Sequence, residues 1–241
     1  VNNDGYGDIL IGAPHNVGRS INGGKVYLFL GKPEGFNHAF SLTEADASFL
    51  AEATRGYNNA GYAIDGVGDV NGDGYDDFII GAWTNEEAGI TAGQVYLVLG
   101  KADGWAIDTP LEASDASFLP PRGSTYFGCA LSGVGDVNGD GYDDFIIGGW
   151  GYGFFEGQQT GAVWLIFGKP SGWSMDTLMD EAGASFIGEG KNSWTGFSVS
   201  GIGDVNQDGY DDFLVGAPRN GEVGTYAGQV YLILGKETGW S

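Results

Sequence analysis

Short apolar runs punctuated by glycine recur along the chain, and they do so at a fixed interval. The most regular reads GKVYLFLG at 24–31, GQVYLVLG at 93–100, GAVWLIFG at 161–168 and GQVYLILG at 228–235. Ahead of each lies a second run: DILIGAP at 8–14, DFIIGAW at 77–83, DFIIGGW at 144–150 and DFLVGAP at 212–218. Its unbroken apolar centre is expected of a strand covered on both faces. A third signal, GYAIDG at 61–66, returns as FGCALSG from 127 and GFSVSG from 196. A weaker fourth is DASFL at 46–50 and 115–119, then GASFI at 183–187. The interval of 67 to 68 residues points to one supersecondary unit stacked on copies of itself.

Four short strand signals separated by turn residues describe a four-stranded antiparallel blade, so the pattern predicts an all-β β-propeller. The repeat divides one region into units 1–68, 69–135 and 136–203 and a partial unit 204–241, about three and a half repeats. Fourteen strand signals fall to the four blades, three in the first and last and four in each middle one. Open blade edges invite pairing with other strands. The expectation is a piece of a longer ring or array, or a homo-oligomer whose copies complete one another. With no initiator methionine and no signal peptide, the chain reads as processed or as part of a longer one.

Between the third and second of these signals sits the most polar stretch. Residues 69–77 read DVNGDGYDD, repeated at 136–144 and, with Gln207 in place of a glycine, at 204–212. VNNDGYGD at 1–8 is a fourth copy without the leading aspartate. Oxygen side chains stand at positions 1, 3 and 5 (Asp69, Asn71, Asp73), Gly74 at position 6 permits a sharp turn, and the Tyr75 carbonyl and Asp77 follow at 7 and 9. Alternate oxygens in a coiled loop suit a hard cation such as calcium. The three donor carboxylates, Asp69, Asp73 and Asp77, repel one another unless a cation lies between them. An EF-hand requires glutamate at position 12, where this chain has Ile80, Ile147 or Val215.

Composition narrows the function. With 42% apolar and 14% aromatic residues and 46 glycines in 241, the chain is a folded, turn-rich protein. No apolar stretch approaches the ~20 residues that span a bilayer. A net charge of −22, with 14 of the 32 acidic residues in the four loops, argues against nucleic acid. Four divalent cations would offset about a third of that charge. Cys129 is the single cysteine, so no disulfide forms within the chain and calcium would take the stapling role.

These motifs resemble FG-GAP repeats, the units of the integrin α-subunit propeller and of many bacterial extracellular proteins. The Phe-Gly element stands at Phe127-Gly128 and, varied, at Gly61-Tyr62 and Gly196-Phe197. Gly-Ala-Pro stands at 12–14 and 216–218, with Trp83 and Trp150 replacing the proline in the middle copies. The resemblance covers the whole chain and implies a calcium site in the loop between the first and second strands of each blade. The ligands it implies are Asp69, Asn71, Asp73, the Tyr75 carbonyl and Asp77; Asp136, Asn138, Asp140, Tyr142 and Asp144; and Asp204, Asn206, Asp208, Tyr210 and Asp212. The opening loop keeps Asn2, Asp4, Tyr6 and Asp8 and, lacking a first carboxylate, is expected to bind most weakly. Three to four calcium ions per chain are implied. Asp76, Asp143 and Asp211, at position 8, are expected to be solvated.

Catalytic groups are scarce. His15 and His38 sit in no zinc-like or triad-like pattern, and no nucleotide fingerprint is present. Glu86, Glu87, Glu156 and Glu222 could pair as glycosidase acids but read more simply as solvated loop carboxylates. The chain is therefore expected not to be an enzyme. Segments 15–23, 84–92, 151–160 and 219–227 vary while the strands stay fixed, as recognition loops on a scaffold do. Tyr152, Phe154 and Phe155 are the first candidates for contact with a ligand. Phe36, Trp105, Trp173 and Trp240, each four residues after a lysine, are either sugar-stacking platforms or packing between blades, and Trp83 and Trp150 share that ambiguity. The expected function is an extracellular or cell-surface recognition and adhesion propeller stabilised by calcium, with a protein or glycan ligand. The alternatives are a lectin and a noncatalytic part of a secreted enzyme.

Overall fold

The computed structural model describes residues 1–17, 22–36, 39–52, 57–121 and 123–240. His38 and part of the 15–23 segment lie outside the described residues. Blade 1 is β1 (Ile9–Ala13), β2 (Lys25–Phe29) and β3 (Ala47–Leu50). Blade 2 is β4 (Ala63–Gly68), β5 (Asp77–Ala82), β6 (Gln94–Val98) and, after the short β7 (Thr109–Pro110), β8 (Ala116–Leu119). Blade 3 is β9 (Ala130–Gly135), β10 (Asp144–Gly149), β11 (Ala162–Ile166) and, after the short β12 (Thr177–Leu178), β13 (Ala184–Ile187). Blade 4 is β14 (Ser198–Gly203), β15 (Asp212–Ala217) and β16 (Gln229–Ile233). Each blade is an antiparallel meander, and the molecule is an all-β propeller.

All fourteen expected strands are present. β7 and β12 are additions: each runs parallel to the outer strand of the preceding blade, β7 on β3 and β12 on β8. Two residues carry no alternation to read, and Pro110 lacks a donor, which suits an edge.

The register repeats from blade to blade. Phe78 faces Val98 and Ile80 faces Tyr96, as Phe145 faces Ile166 and Ile147 faces Trp164. Successive residues of a strand point to opposite faces, so Phe78 and Ile80 pack toward blade 1 while Ile79 packs toward blade 3. That is why the second strand of each unit is apolar throughout. One core joins Val26, Leu28 and Phe49 to Phe78, Ile80 and Tyr96. A second joins Ile79, Val95 and Phe118 to Phe145, Ile147 and Trp164, and a third joins Ile146, Val163 and Leu165 to Phe213 and Val215. The hydrophobic core therefore lies between blades.

The two halves of the repeat motif meet at these boundaries. A Cβ on Gly12, Gly81 or Gly148 would lie 2.0, 2.2 or 2.2 Å from the carbonyl oxygen of Gly61, Gly128 or Gly196 in the next blade. The Gly-Ala-Pro glycine thus touches the Phe-Gly glycine of its successor, backbone against backbone.

The repeated tryptophans sit at the same boundaries. Trp105 meets Phe49 edge-on and lies tilted on Phe78 at 6.2 Å, Trp173 does the same with Phe118 and Phe145, and Trp240 contacts Phe186 and Phe213. The indole N–H of Trp105 donates to the Lys101 carbonyl and that of Trp173 to the Lys169 carbonyl, both at 3.1 Å. The same lysines place Nζ 4.8 Å from the ring centroids. Of the two readings, this placement is packing. Phe36 joins Phe29 and Phe40 in the first blade.

The segment before each short strand straps onto the blade behind it. The Asp176 N–H donates to Ser117 Oγ at 2.7 Å, and Asp176 Oδ1 accepts from Ser117 Oγ and from Gln94 Nε2. Asp108 repeats this with Ser48 and Lys25. Ser117 is fully buried, so Ser117→Ala leaves the Asp176 N–H unmatched and is expected to cost about 1–3 kcal/mol, read as a shift of the urea midpoint.

Candidate metal centre

Each complete acidic loop enters from a one-residue bulge at the end of the first strand, between Gly66 and Gly68 in blade 2 and between Gly201 and Gly203 in blade 4. It leaves directly into the second strand, whose first residue is the ninth of the loop. That aspartate is buried in the three complete loops: Asp77, Asp144 and Asp212 are fully enclosed. Its two oxygens tie the loop to the blade. Asp77 Oδ2 accepts the Val70 N–H at 3.0 Å and Oδ1 the Gly100 N–H at 2.7 Å. Asp144 accepts from Val137 and Gly168, and Asp212 from Val205 and Gly235, at 2.8 to 3.0 Å.

The remaining donors turn into the loop. Asp69 accepts the N–H groups of Gly72, Asp73 and Gly74 between 2.7 and 3.0 Å, Asn71 Oδ1 accepts from the Asp73 N–H, and Asp73 Oδ1 accepts from the Tyr75 N–H. Asp136, Asn138 and Asp140 repeat this toward Gly139, Gly141 and Tyr142, and Asp204, Asn206 and Asp208 repeat it toward Gly209 and Tyr210. The opening loop keeps the later part: Asp4 Oδ1 accepts from Tyr6, and Asp8 Oδ1 from Gly31. Among the described residues no three Asp, Glu, His or Cys side chains converge into a ready metal cluster. The carboxylates rest instead on the loop's own amides.

The charge in these loops is unbalanced. Burial pushes the Asp77 carboxyl up to about 7, and Asp73 and Asp69 add to the rise against the lowering by the Gly100 and Val70 N–H groups. Asp144 is pushed up to about 8 for the same reasons, with Asp140 and Asp136 as its neighbours. Among the described residues no lysine or arginine forms an ion pair with any carboxylate of the three complete loops. An all-oxygen donor set with excess negative charge and no cationic partner fits a hard divalent cation.

The eighth-position aspartates differ from expectation. Asp76 is exposed, but Asp143 and Asp211 are half-buried. Burial raises the Asp143 carboxyl, with Asp69, Asp76 and Asp136 adding to it. Instead of facing solvent, their oxygens accept N–H groups from the preceding blade, at Asp69 and Asp136. A reading confined to one loop treats position 8 as outward; the signal available was its recurrence in every complete copy.

A second feature lies where the Gly-Ala-Pro elements end. Tyr62, Trp83, Tyr126, Trp150, Trp194 and Phe197 form a continuous row across three blades, with neighbouring ring centroids 4.4 to 6.1 Å apart. The Arg219 guanidinium lies 3.5 Å from the Trp194 centroid. Tyr126 and Trp194, two residues before the glycines Gly128 and Gly196, were legible only by aligning the repeats. In the 151–160 segment, Tyr152 packs edge-on against Trp164, whereas Phe154 and Phe155 are 48% and 65% exposed. Glu86 and Glu87, Glu156, and Glu222 fall on three different blades.

The FG-GAP repeat profile matches residues 130–166 and 195–233. Mouse integrin alpha-8 is 31% identical over 92% of this chain and 21% of its own length, and mouse integrin alpha-IIb is 33% identical over 68% of this chain and 15% of its own. Bovine phosphatidylinositol-glycan-specific phospholipase D is 31% identical over 90% of this chain and 25% of its own length. The chain thus spans a quarter or less of these relatives. With the blade topology, the glycine pairs at the blade boundaries and these similarities together, the chain belongs to the FG-GAP repeat family, in the form found in the integrin α subunits.

Proposed function

We propose that residues 1–241 form one calcium-stabilised β-propeller region of an extracellular or cell-surface protein, serving as a recognition and adhesion scaffold. The observation that carries the reading is the loop chemistry: one all-oxygen donor pattern in blades 2, 3 and 4, kept in part in blade 1, with buried carboxylates that have no cationic partner among the described residues. Asp69, Asn71, Asp73, the Tyr75 carbonyl and Asp77 would hold the ion in blade 2, with the matching residues in blades 3 and 4 and Asn2, Asp4, Tyr6 and Asp8 in blade 1. Calcium supplies charge compensation there and no chemical step. The scaffold holds the loops; Phe154 and Phe155 present the exposed apolar surface of the longest variable segment. The integrin relatives support a protein ligand. The phospholipase relative supports the alternative of an accessory region in a secreted enzyme. A glycan reading loses Trp105 and Trp173, whose faces are taken up in packing.

Native mass spectrometry in calcium and after chelation tests the reading. Three to four calcium ions per chain are expected, lost on chelation, and the same spectra report whether copies associate. A chain that retains no calcium sinks it. A glycan array probed with the calcium-loaded protein is expected to be blank, and saturable binding to one glycan class would favour the lectin.

A further inference from the structure

Neighbouring acidic loops are interlocked. Between blades 2 and 3, the Asp69 N–H donates to Asp143 Oδ2 at 2.8 Å, and the Asp143 N–H donates back to the Asp69 carbonyl at 3.3 Å. The Lys169 N–H donates to the Val70 carbonyl at 2.8 Å. The Tyr142 ring lies over Gly72, where an added Cβ would come within 2.7 Å of it. Between blades 3 and 4 the same four contacts recur. Asp136 N–H meets Asp211 Oδ2 at 3.1 Å, Asp211 N–H meets the Asp136 carbonyl at 3.2 Å, Lys236 N–H meets the Val137 carbonyl at 2.9 Å, and Tyr210 covers Gly139. The glycines just before these loops, Gly68 and Gly135, make room for the arriving carboxylate: a Cβ there would sit 2.1 and 1.9 Å from its oxygen.

We propose that the loops form one coupled array, in which Asp143 and Asp211 are positioning residues for the first donors, Asp69 and Asp136, of the loops before them. This rests on the cation reading above and adds to it a direction and two residues. A carboxylate receiving a backbone N–H makes a charge-assisted bond, which fixes the peptide from which the Asp69 side chain projects. The residue beside it, Tyr142, belongs to its own loop and lays its ring on the loop before. Closing the third loop around a cation therefore restrains the second, and the second ion meets a loop already ordered. Sites linked this way bind cooperatively, because the ordering cost is met once for both.

The test titrates ¹⁵N-labelled protein with calcium chloride and follows the amide resonances of Gly74, Gly141 and Gly209, the sixth residue of each complete loop. In the unmodified protein Gly74 and Gly141 should move with matched midpoints. Asp143→Ala should raise the Gly74 midpoint about tenfold, the scale of one lost charge-assisted bond, and Asp143→Asn should restore most of it because its amide oxygen still accepts. Asp211→Ala should act on Gly141 in the same way and pass a smaller rise on to Gly74 through the coupling. Without calcium, the Asp69 amide should exchange about tenfold faster in Asp143→Ala and near normally in Asp143→Asn. Weakening at Gly141 alone, with Gly74 unmoved, assigns Asp143 to its own loop and overturns the proposal. So does an Asp69 amide equally protected in all three proteins. Resonances indifferent to calcium in the unmodified protein overturn the cation reading and the coupling together, while exchange at Asp69 reads the contact itself with no metal present.

Discussion

Chelating calcium should give stability a pH dependence that the loaded protein lacks. In the metal-free protein the urea midpoint is expected to fall between pH 5 and pH 8, and with saturating calcium to stay level over the same range and to drop only below about pH 4. The sign follows from two carboxyls. Asp77 and Asp144 are raised from 3.8 to about 7 and about 8, first by burial and then by the carboxylates beside them. Between the unfolded and folded values the native state holds more protons than the unfolded chain, so stability declines as pH rises through that window. Their contribution is present in full below about pH 4 and gone above about pH 8. A bound divalent cation inverts the local logic: it favours the ionised form, so the same groups then contribute stability above the unfolded value and lose it as pH falls. Together the two groups are expected to move stability by several kcal/mol. Calcium at a hundredfold excess over its dissociation constant adds ~2.7 kcal/mol for each site occupied. At pH 8 the loaded and stripped proteins should therefore differ most, by on the order of 8 kcal/mol if three sites fill. A stripped protein with a flat or rising profile from pH 5 to 8 would contradict this account of the buried aspartates.

The strands were legible because each is repeated. One apolar run such as DFIIGAW is ambiguous between a buried strand and a turn of helix, but four copies at one spacing, each followed by a glycine-flanked VYL-type run, leave a single reading. The loops were legible for the same reason: donors at alternate positions are a local pattern, and local patterns survive without a structure. What was not legible crosses from one blade to the next. β7 and β12 are strands only because β3 and β8 lie beside them. Trp105 could be a platform or a plug until Phe49 and Phe78 are seen around it. Asp143 looks solvated when its own loop is drawn alone, and its carboxylate belongs to the loop 74 residues earlier. The aromatic row running from Tyr62 to Phe197 draws its rings from residues separated by whole repeats, so no window of sequence contains it.

Gly81→Ala and Gly148→Ala should be among the most damaging single substitutions in the strands, each costing about 4 kcal/mol or more. The added methyl would stand 2.2 Å from the Gly128 or Gly196 carbonyl oxygen, far inside contact distance, and neither partner can retreat. Gly81 is paired on both sides, with Ala63 and with Val95, and its carbonyl accepts the Gly61 N–H at 2.9 Å. Gly128 holds a left-handed backbone at φ +79 and donates its N–H to Gly148 at 3.0 Å. Separating them would part the packed blades behind, where Phe78 and Ile79 are fully buried on either face. Two other glycines calibrate the effect. Gly66, the exposed residue of β4, has ordinary φ and its nearest neighbour is 4.0 Å away, so Gly66→Ala should stay within about 1 kcal/mol. Gly216 is the fourth copy of Gly81, yet a methyl there meets the Ser198 hydroxyl, which can rotate aside, so its cost should be intermediate. Urea midpoints for the four variants therefore order as Gly66, Gly216, then Gly81 and Gly148 together. If Gly81→Ala were no worse than Gly216→Ala, the glycine pair would not be what holds blade to blade, and the repeat motif would need another explanation.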